Sequence, residues 1–198
     1  MSIGKKIFLF VGLFLLITAT FFTIKILKEK NTLNESKDTL RFVTEQIFTC
    51  PNKDIIKLYN EMINTALDES QSTSKLGIVE YDTTKLDKKL YETYSNYISN
   101  KWYEAFRTEY YTKLFAYSIA SEYDIKVRSI DIVQSKKVPT NYSFTLYLTY
   151  GLIEGDKKDT KVEGSAQLTN ERKISYITFF DKDLYQEIRN SLITEFRK

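Results

Sequence analysis

The chain has 198 residues, with 29 Lys and Arg against 26 Asp and Glu, and therefore a formal net charge of +3. It is rich in Tyr (15) and Phe (13), but has no histidine and only one cysteine, Cys50. Imidazole bases, His-based triads and His metal sites are thus excluded, and one thiolate cannot build a zinc site. The six glycines are scattered, so no phosphate-binding loop is expected. We therefore predict no catalytic residue, no metal site and no cofactor.

An apolar run near the N-terminus predicts a transmembrane helix. Residues 7–24 read IFLFVGLFLLITATFFTI, without a single charge, and span about 27 Å as a helix. Lys25 and Lys28 can direct their ammonium groups to the interface, which extends the usable span to Leu27. A cleaved signal peptide is the alternative, but its apolar core is typically shorter. We expect an uncleaved signal-anchor.

The flanking charges leave the orientation of this helix open, because lysines lie on both sides. The short N-terminal tail ahead of a long domain favours export of the domain, and a cytoplasmic domain is the alternative. The expected organisation is a cytoplasmic tail (1–6), a single transmembrane helix (7–27), a connector (28–37) and a soluble extracytoplasmic domain (38–198). We therefore expect a single-pass protein of the cell membrane.

The domain itself is close to neutral. When the five lysines and one glutamate of the first 30 residues are set aside, the 29 basic and 26 acidic residues fall to 24 and 25. Nucleic-acid binding needs clustered cations, so we do not expect it. A lone cysteine fits a bacterial surface protein without disulfides. We interpret Cys50 as a half-buried residue at a helix end, not as a reactive thiol.

The first half of the domain has helical periodicity. Pro51 interrupts the pattern within Thr49–Asn52 and suits the first turn of the next helix. The predicted elements are a helix from 38 or 39 to 48, a helix from 51 to 67, a polar loop from 68 to 75, a short strand from 76 to 81, a helix from 83 or 84 to 98, a helical stretch from 99 or 100 through 106, and an apolar stretch from 114 to 119.

The second half has the period of β-strands. Residues 142–150 alternate strictly between apolar and polar side chains, which is the clearest strand signal in the chain. A phase slip at Arg128–Ser129 predicts a β-bulge. The predicted elements are strands at 125–132, 142–150, 162–168 and 174–180, turns at 155–158 and 170–172, and a final amphipathic helix at 184–196. Helices followed by strands predict an α+β fold, with helices packed on one face of a curved antiparallel sheet.

This layout resembles the nuclear transport factor 2-like superfamily, whose fold is a cone in which helices come first and a bent antiparallel sheet then wraps around a long helix. The resemblance covers residues 38–182 and rests on the helix pair joined at 49–52 and the strands at 142–150, 162–168 and 173–177. The final helix is a departure from it. Membrane-anchored domains of this kind include the inner-membrane scaffold of type IV secretion and its counterparts in Gram-positive conjugation. The resemblance therefore implies a binding or assembly module more than an enzyme.

Two hypotheses about function follow. The first is a membrane-tethered interaction module that self-associates or docks another envelope protein, where the tether raises its effective concentration. The alternative is a cavity for a small apolar ligand, with or without proton transfer between a carboxylate and a tyrosine. The candidate proton donors are Tyr94, Tyr97, Tyr142 and Tyr176, and the candidate acids are Asp131 and Glu163.

Two further clusters have more than one interpretation. An aromatic cluster either exposes part of its rings as a partner surface or fills the mouth of the cone; its members are Tyr103, Phe106, Tyr110, Tyr111, Phe115 and Tyr117. A charged cluster is interpreted as a solvated hairpin tip and not as an ion site; its members are Asp156, Lys157, Lys158, Asp159, Lys161 and Glu163.

Overall fold

The computed structural model describes the backbone of residues 3–73 and 81–195; within these ranges the side chains of 3–19, 21, 29, 69–73 and 191–195 are outside the description. The chain divides into two compact units, Met1–Asp38 and Thr39–Lys198. In chain order the elements are α1 (Ile3–Phe48), α2 (Lys53–Thr73), α3 (Thr84–Tyr94), α4 (Tyr103–Glu109), a π-helical turn (Tyr110–Leu114), α5 (Phe115–Ile119), β1 (Tyr123–Gln134), β2 (Asn141–Leu152), β3 (Lys158–Leu168), β4 (Ile174–Phe180) and α6 (Lys182–Glu195).

Helix α1 runs through the segment that we predicted to be a connector, residues 28–37. The predicted helix start at Asp38 or Thr39 is therefore wrong. No proline or glycine lies between Gly12 and Pro51, so nothing in the backbone stops the helix. The polar side chains are accommodated within it, because Thr32 Oγ1 donates to the Lys28 carbonyl (2.8 Å) and Ser36 Oγ to the Thr32 carbonyl (2.9 Å).

The predicted transmembrane segment, residues 7–27, lies within α1. The side chains of residues 7–19 are outside the described part of the chain. Among the residues that are described, no helix is both long enough and apolar enough to cross a membrane.

The helix break at Thr49–Asn52 is confirmed, with one correction. Pro51 precedes α2, and Asn52 caps it through a hydrogen bond from the Ile55 amide to Asn52 Oδ1 (3.2 Å). Helix α2 then continues to Thr73, so most of the predicted polar loop at 68–75 is helical. The predicted strand at 76–81 lies outside the described residues except for Tyr81, which is not in a strand.

Helix α3 begins after Thr83, as predicted, but ends at Tyr94 and not at residue 98. The chain instead turns beside the sheet, where Ile98 forms a parallel bridge with Ile174. The Ile174 amide donates to the Tyr97 carbonyl (2.7 Å), and the Ser99 amide donates to the Ile174 carbonyl (2.8 Å). The Tyr97 carbonyl and the Ser99 amide thus bond to a strand that is distant in sequence and not to a continuing helix.

The four strands form one curved antiparallel sheet in the order β1-β2-β3-β4. The predicted bulge is confirmed, because the β1–β2 register shifts between Val127 and Ser129. The α+β class is also confirmed. One face of the sheet is buried along β2 and β3 and the other is largely polar, as the strict alternation of residues 142–150 predicted.

Aromatic rings join the buried face of the sheet to the helices. Phe48 at the end of α1 lies 5.1 Å, between ring centroids, from Phe179 of β4, and Phe179 lies 5.6 Å from Phe144 of β2. Gly164 of β3 makes room for this packing. A Cβ atom at that position would overlap the Phe144 ring and lie 2.5 Å from the Thr178 carbonyl oxygen.

Candidate functional site

A buried carboxylate, Asp181, lies between the end of β4 and the start of α6. Its carbonyl accepts a hydrogen bond from the Tyr185 amide (2.8 Å), which makes Asp181 the N-cap residue of α6. Its side chain is 1% exposed. The carboxylate contacts two side chains from the helical segment that precedes β1. This single residue therefore links α6 to the body of the domain.

The partners of Asp181 are a phenol and an ammonium group. Tyr117 donates its hydroxyl hydrogen to Asp181 Oδ2 (2.6 Å), and Lys113 Nζ lies 2.5 Å from Asp181 Oδ1. Tyr117 is fully buried. Burial and the adjacent carboxylate raise the pKa of Tyr117 far above the range of an ordinary phenol. We call this group of three residues the Asp181 network.

Lys113 reaches Asp181 from the π-helical turn. Such turns are rare and occur frequently at functional sites. The Lys113 ammonium also donates to the Phe179 carbonyl (3.4 Å) and lies 5.9 Å from the centroid of the Tyr185 ring. Burial raises the pKa of nearby Glu109, with Lys113 opposing and Asp181 reinforcing the shift.

An open cleft of about 460 Å³ lies over the Asp181 network. We call it the α6 cleft; it is lined by Lys113, Thr160, Lys161, Phe179, Phe180, Asp181, Lys182, Asp183, Leu184 and Tyr185. Its walls combine rings and aliphatic groups with three ammonium groups. Phe180 is 66% exposed at the rim, on the outer face of the sheet.

The Asp181 network is suited to holding α6 in place and not to proton transfer. A proton-transfer site needs a reactive group within reach of its substrate. Here the phenol is fully buried, its pKa is raised, and its hydrogen is engaged by Asp181. Lys113 balances the charge of the carboxylate. The cleft above can hold a ligand, but neither the Tyr117 hydroxyl nor the Asp181 carboxylate is accessible to it.

The sequence did not single out this network. Asp181 lies between Phe180 and Lys182, and the predicted helix began only at residue 184, which hid the capping role of Asp181. An Asp just before an amphipathic helix is an N-cap signal that could have found it. Nothing in the local pattern indicated its contact with residues 113 and 117, which are more than 60 positions away.

The predicted carboxylate and tyrosine candidates do not come together. Asp131 and Glu163 lie exposed on the outer face of the sheet, where Asp131 accepts a hydrogen bond from Tyr147 (3.1 Å). Tyr94 and Tyr142 are buried, and Tyr176 is 49% exposed. Tyr97 stacks on Phe42 with 4.1 Å between ring centroids. Among the described residues, no hydrogen bond joins either acid to any of the four tyrosines.

The aromatic cluster fills the interior. Phe106, Tyr110 and Tyr117 are buried, and Tyr103, Tyr111 and Phe115 are half-buried. The Tyr110 hydroxyl shares a 2.6 Å hydrogen bond with Ser118, and burial raises its pKa to about 12. Of the two interpretations of this cluster, the structure favours the filled mouth over an exposed partner surface.

Three members of the charged cluster form ion pairs with residues outside it. Lys157 lies 3.5 Å from Asp124, Lys158 lies 3.4 Å from Glu187, and Arg128 lies 3.0 Å from Asp159. Within residues 3–73 and 81–195, no group of acidic or cysteine side chains is arranged to hold a metal ion.

Cys50 is more deeply buried than we predicted, with 2% of its surface exposed. Its Sγ contacts the Ala120 carbonyl at 3.0 Å, and burial raises the pKa of the thiol to about 12. Since only the thiolate reacts quickly, we expect iodoacetamide to modify Cys50 at pH 8 at least about 100 times more slowly in the folded protein than in urea.

Intact-protein mass spectrometry measures this modification. The raised pKa keeps the thiol protonated in the folded state well above the pH at which a free cysteine ionises, so the protection should persist to about pH 10. Equal rates in the folded and unfolded protein would show that Cys50 is accessible.

Comparison with known proteins gives no relative: no family model, no curated protein and no solved structure matches the chain.

Proposed function

We propose that this protein is a membrane-tethered, extracytoplasmic interaction module that docks an envelope protein or associates with itself. In this proposal residues 7–27 of α1 are the anchor and the α+β domain is the binding part. We also propose that the domain has the cone fold of the nuclear transport factor 2-like superfamily, as membrane-anchored assembly proteins of that superfamily do.

The filled interior of the domain carries this proposal. A cavity protein for a small apolar ligand needs an enclosed apolar space. In the described part of the domain, Phe48, Phe106, Tyr110 and Tyr117 occupy the space between the helices and the sheet. Binding at the surface is therefore favoured over binding in the interior.

The membrane tether is supported by the uncharged run at 7–24. The side chains described within the predicted anchor agree with it, since Phe22, Ile24, Ile26 and Leu27 are all exposed. Large apolar side chains exposed on several faces of one helix are costly in water and favourable in lipid.

Exposed aromatic side chains supply surface for a partner. Tyr176 and Phe180 lie on the outer face of β4, and Trp102 lies 6.0 Å from Tyr176 between ring centroids. Trp and Tyr are enriched at the centres of protein interfaces. A tethered protein needs few such contacts, because confinement to the membrane raises its effective concentration.

Crosslinking in intact membranes tests the proposal. We expect an amine-reactive crosslinker to convert the full-length protein into a discrete larger species, either a dimer or a complex with another membrane protein. Recovery of monomer alone with several crosslinkers of different length would contradict it.

The orientation has its own test. An epitope tag at the C-terminus should be removed when protease is added to intact cells, while a cytoplasmic marker protein survives. If the tag is protected although a known surface domain is cleaved, the domain is cytoplasmic and the extracytoplasmic part of the proposal fails.

A further inference from the structure

The α6 cleft combines an apolar wall with two lysines that form no ion pair with the described residues. Phe180 and Tyr185 form part of the wall, and Lys161 and Lys182 lie at its rim. Among the described residues, no carboxylate lies within 4 Å of either of these two ammonium groups, and the Lys161 ammonium lies 5.3 Å from the centroid of the Tyr147 ring. The nearby Lys157 and Lys158 differ, since each forms an ion pair, with Asp124 and Glu187 respectively.

The acidic residues of the cleft do not cancel this charge. Asp181 is ion-paired with Lys113, and its side chain is 1% exposed, so its charge is balanced below the surface. Asp183 is then the one accessible carboxylate among the lining residues, beside the two accessible ammonium groups of Lys161 and Lys182. The accessible charges that line the cleft are therefore two lysines and one aspartate, while exposed Glu163, the cross-strand neighbour of Phe180, lies outside this lining.

The outer face of β4 extends this surface. Tyr176 lies on the same face as Phe180, four residues earlier in the strand, which corresponds to about 13 Å. Trp102 lies against Tyr176. A row of exposed rings therefore leads along the edge strand into the cationic cleft.

We propose that the α6 cleft docks an acidic segment of a partner protein. An apolar side chain of that segment packs against Phe180 and Tyr185, and its carboxylates face Lys161 and Lys182. Complementary charge selects the partner and speeds its encounter, while the rings supply most of the contact area. This inference rests on the proposed interaction function and names its site and the chemistry of its partner.

Binding of synthetic peptides to the full-length protein in neutral detergent tests this inference. The probe is a fluorescein-labelled peptide with a Leu-Phe pair followed by a run of glutamates, and binding is followed by fluorescence anisotropy. One control peptide has lysines in place of the glutamates, and the other has Ser-Ser in place of Leu-Phe. We expect both control peptides to bind at least about tenfold more weakly.

Matched variants locate the site. The double variant K161E/K182E should weaken binding of the acidic peptide at least about tenfold. K136E/K137E makes the same charge change on exposed lysines of the β1–β2 hairpin and should change affinity less than about twofold. Likewise F180S should weaken binding, and V133S, at another exposed apolar position of the outer face, should not.

Several results would overturn the inference. They are absence of binding by the acidic peptide, equal binding of the lysine peptide, and equal losses in K161E/K182E and K136E/K137E. A protein that binds phosphatidylglycerol vesicles through Lys161 and Lys182 but not the acidic peptide would have a lipid site instead.

Membrane crosslinking separates this inference from the broader function. If K161E/K182E captures the same complex as the wild-type protein, the interaction function stands and the α6 cleft is the wrong site. If the wild-type protein captures nothing, the interaction function itself fails. A photo-crosslinker at position 180 identifies the segment of the partner that contacts the cleft. If that segment has no acidic residues, or if it belongs to a second copy of this chain, the proposed partner chemistry is wrong.

Discussion

Replacing Asp181 by alanine is expected to lower the free energy of unfolding of the domain by about 3 kcal/mol or more. The substitution leaves the Lys113 ammonium and the buried Tyr117 hydroxyl without the carboxylate that they share. It also removes the side chain through which the start of α6 is tied to the π-helical turn. Urea denaturation of the full-length protein in detergent, followed by near-ultraviolet circular dichroism, measures this loss.

The control for this variant is Asp183→Ala. Asp183 is exposed in the first turn of the same helix, where its charge contributes less than about 1 kcal/mol. Tyr117→Phe removes only the hydroxyl and should cost about 1–3 kcal/mol, because Asp181 Oδ2 loses its donor. If Asp181→Ala is no more destabilising than Asp183→Ala, the Asp181 network does not hold α6 in place.

Replacing Phe48 by alanine is expected to cost about 3–5 kcal/mol. Phe48 is fully buried, and its ring lies 4.9 Å from Tyr117 and 5.1 Å from Phe179 between centroids. Its removal leaves a cavity at the point where α1, α5 and β4 meet. The same urea titration measures the loss.

Two further variants serve as controls for Phe48→Ala. Phe48→Leu keeps most of the apolar volume and should cost about half as much or less. Phe180→Ala removes a ring that is 66% exposed and should change stability by less than about 0.5 kcal/mol. A Phe48→Ala loss as small as that of Phe180→Ala would mean that the interior is not packed around this ring.

Phe48 and Asp181 belong to one region of the domain. Phe48 packs on Tyr117, and Tyr117 donates to Asp181 at the base of the α6 cleft. The buried packing and the buried ion pair therefore hold the walls of the proposed docking surface. The core thus fixes the base of the cleft, while the side chains proposed to contact a partner, Phe180, Lys161 and Lys182, are exposed.

The strand region was predictable from the sequence because its pattern is local. Alternation along 142–150 follows from a sheet with one buried and one wet face, and the slip at Arg128–Ser129 marked the bulge. The absence of histidine and the single cysteine excluded whole classes of chemistry by themselves. The helix break at Thr49–Asn52 also came from local chemistry, since proline cannot donate a backbone hydrogen bond.

The helix boundaries were less predictable, since polar residues do not by themselves end a helix. Residues 28–37 continue α1 because Thr32 and Ser36 satisfy their hydroxyls on carbonyls of the preceding turn. Conversely, the chain leaves the helical conformation after Tyr94, where residues 97 and 99 hydrogen-bond to Ile174 of β4. That competing partner is far away in the sequence.

By itself, the sequence determined the class of the fold, the four strands, the apolar segment at its start and the lack of His or Cys chemistry. Only the tertiary structure decided which carboxylate is buried and which of the described lysines form no ion pair. The chain has 26 acidic residues and 15 tyrosines, so composition could not select Asp181 and Tyr117. Their contact depends on the position of the end of β4 relative to α5. Packing between segments more than 60 residues apart sets this position.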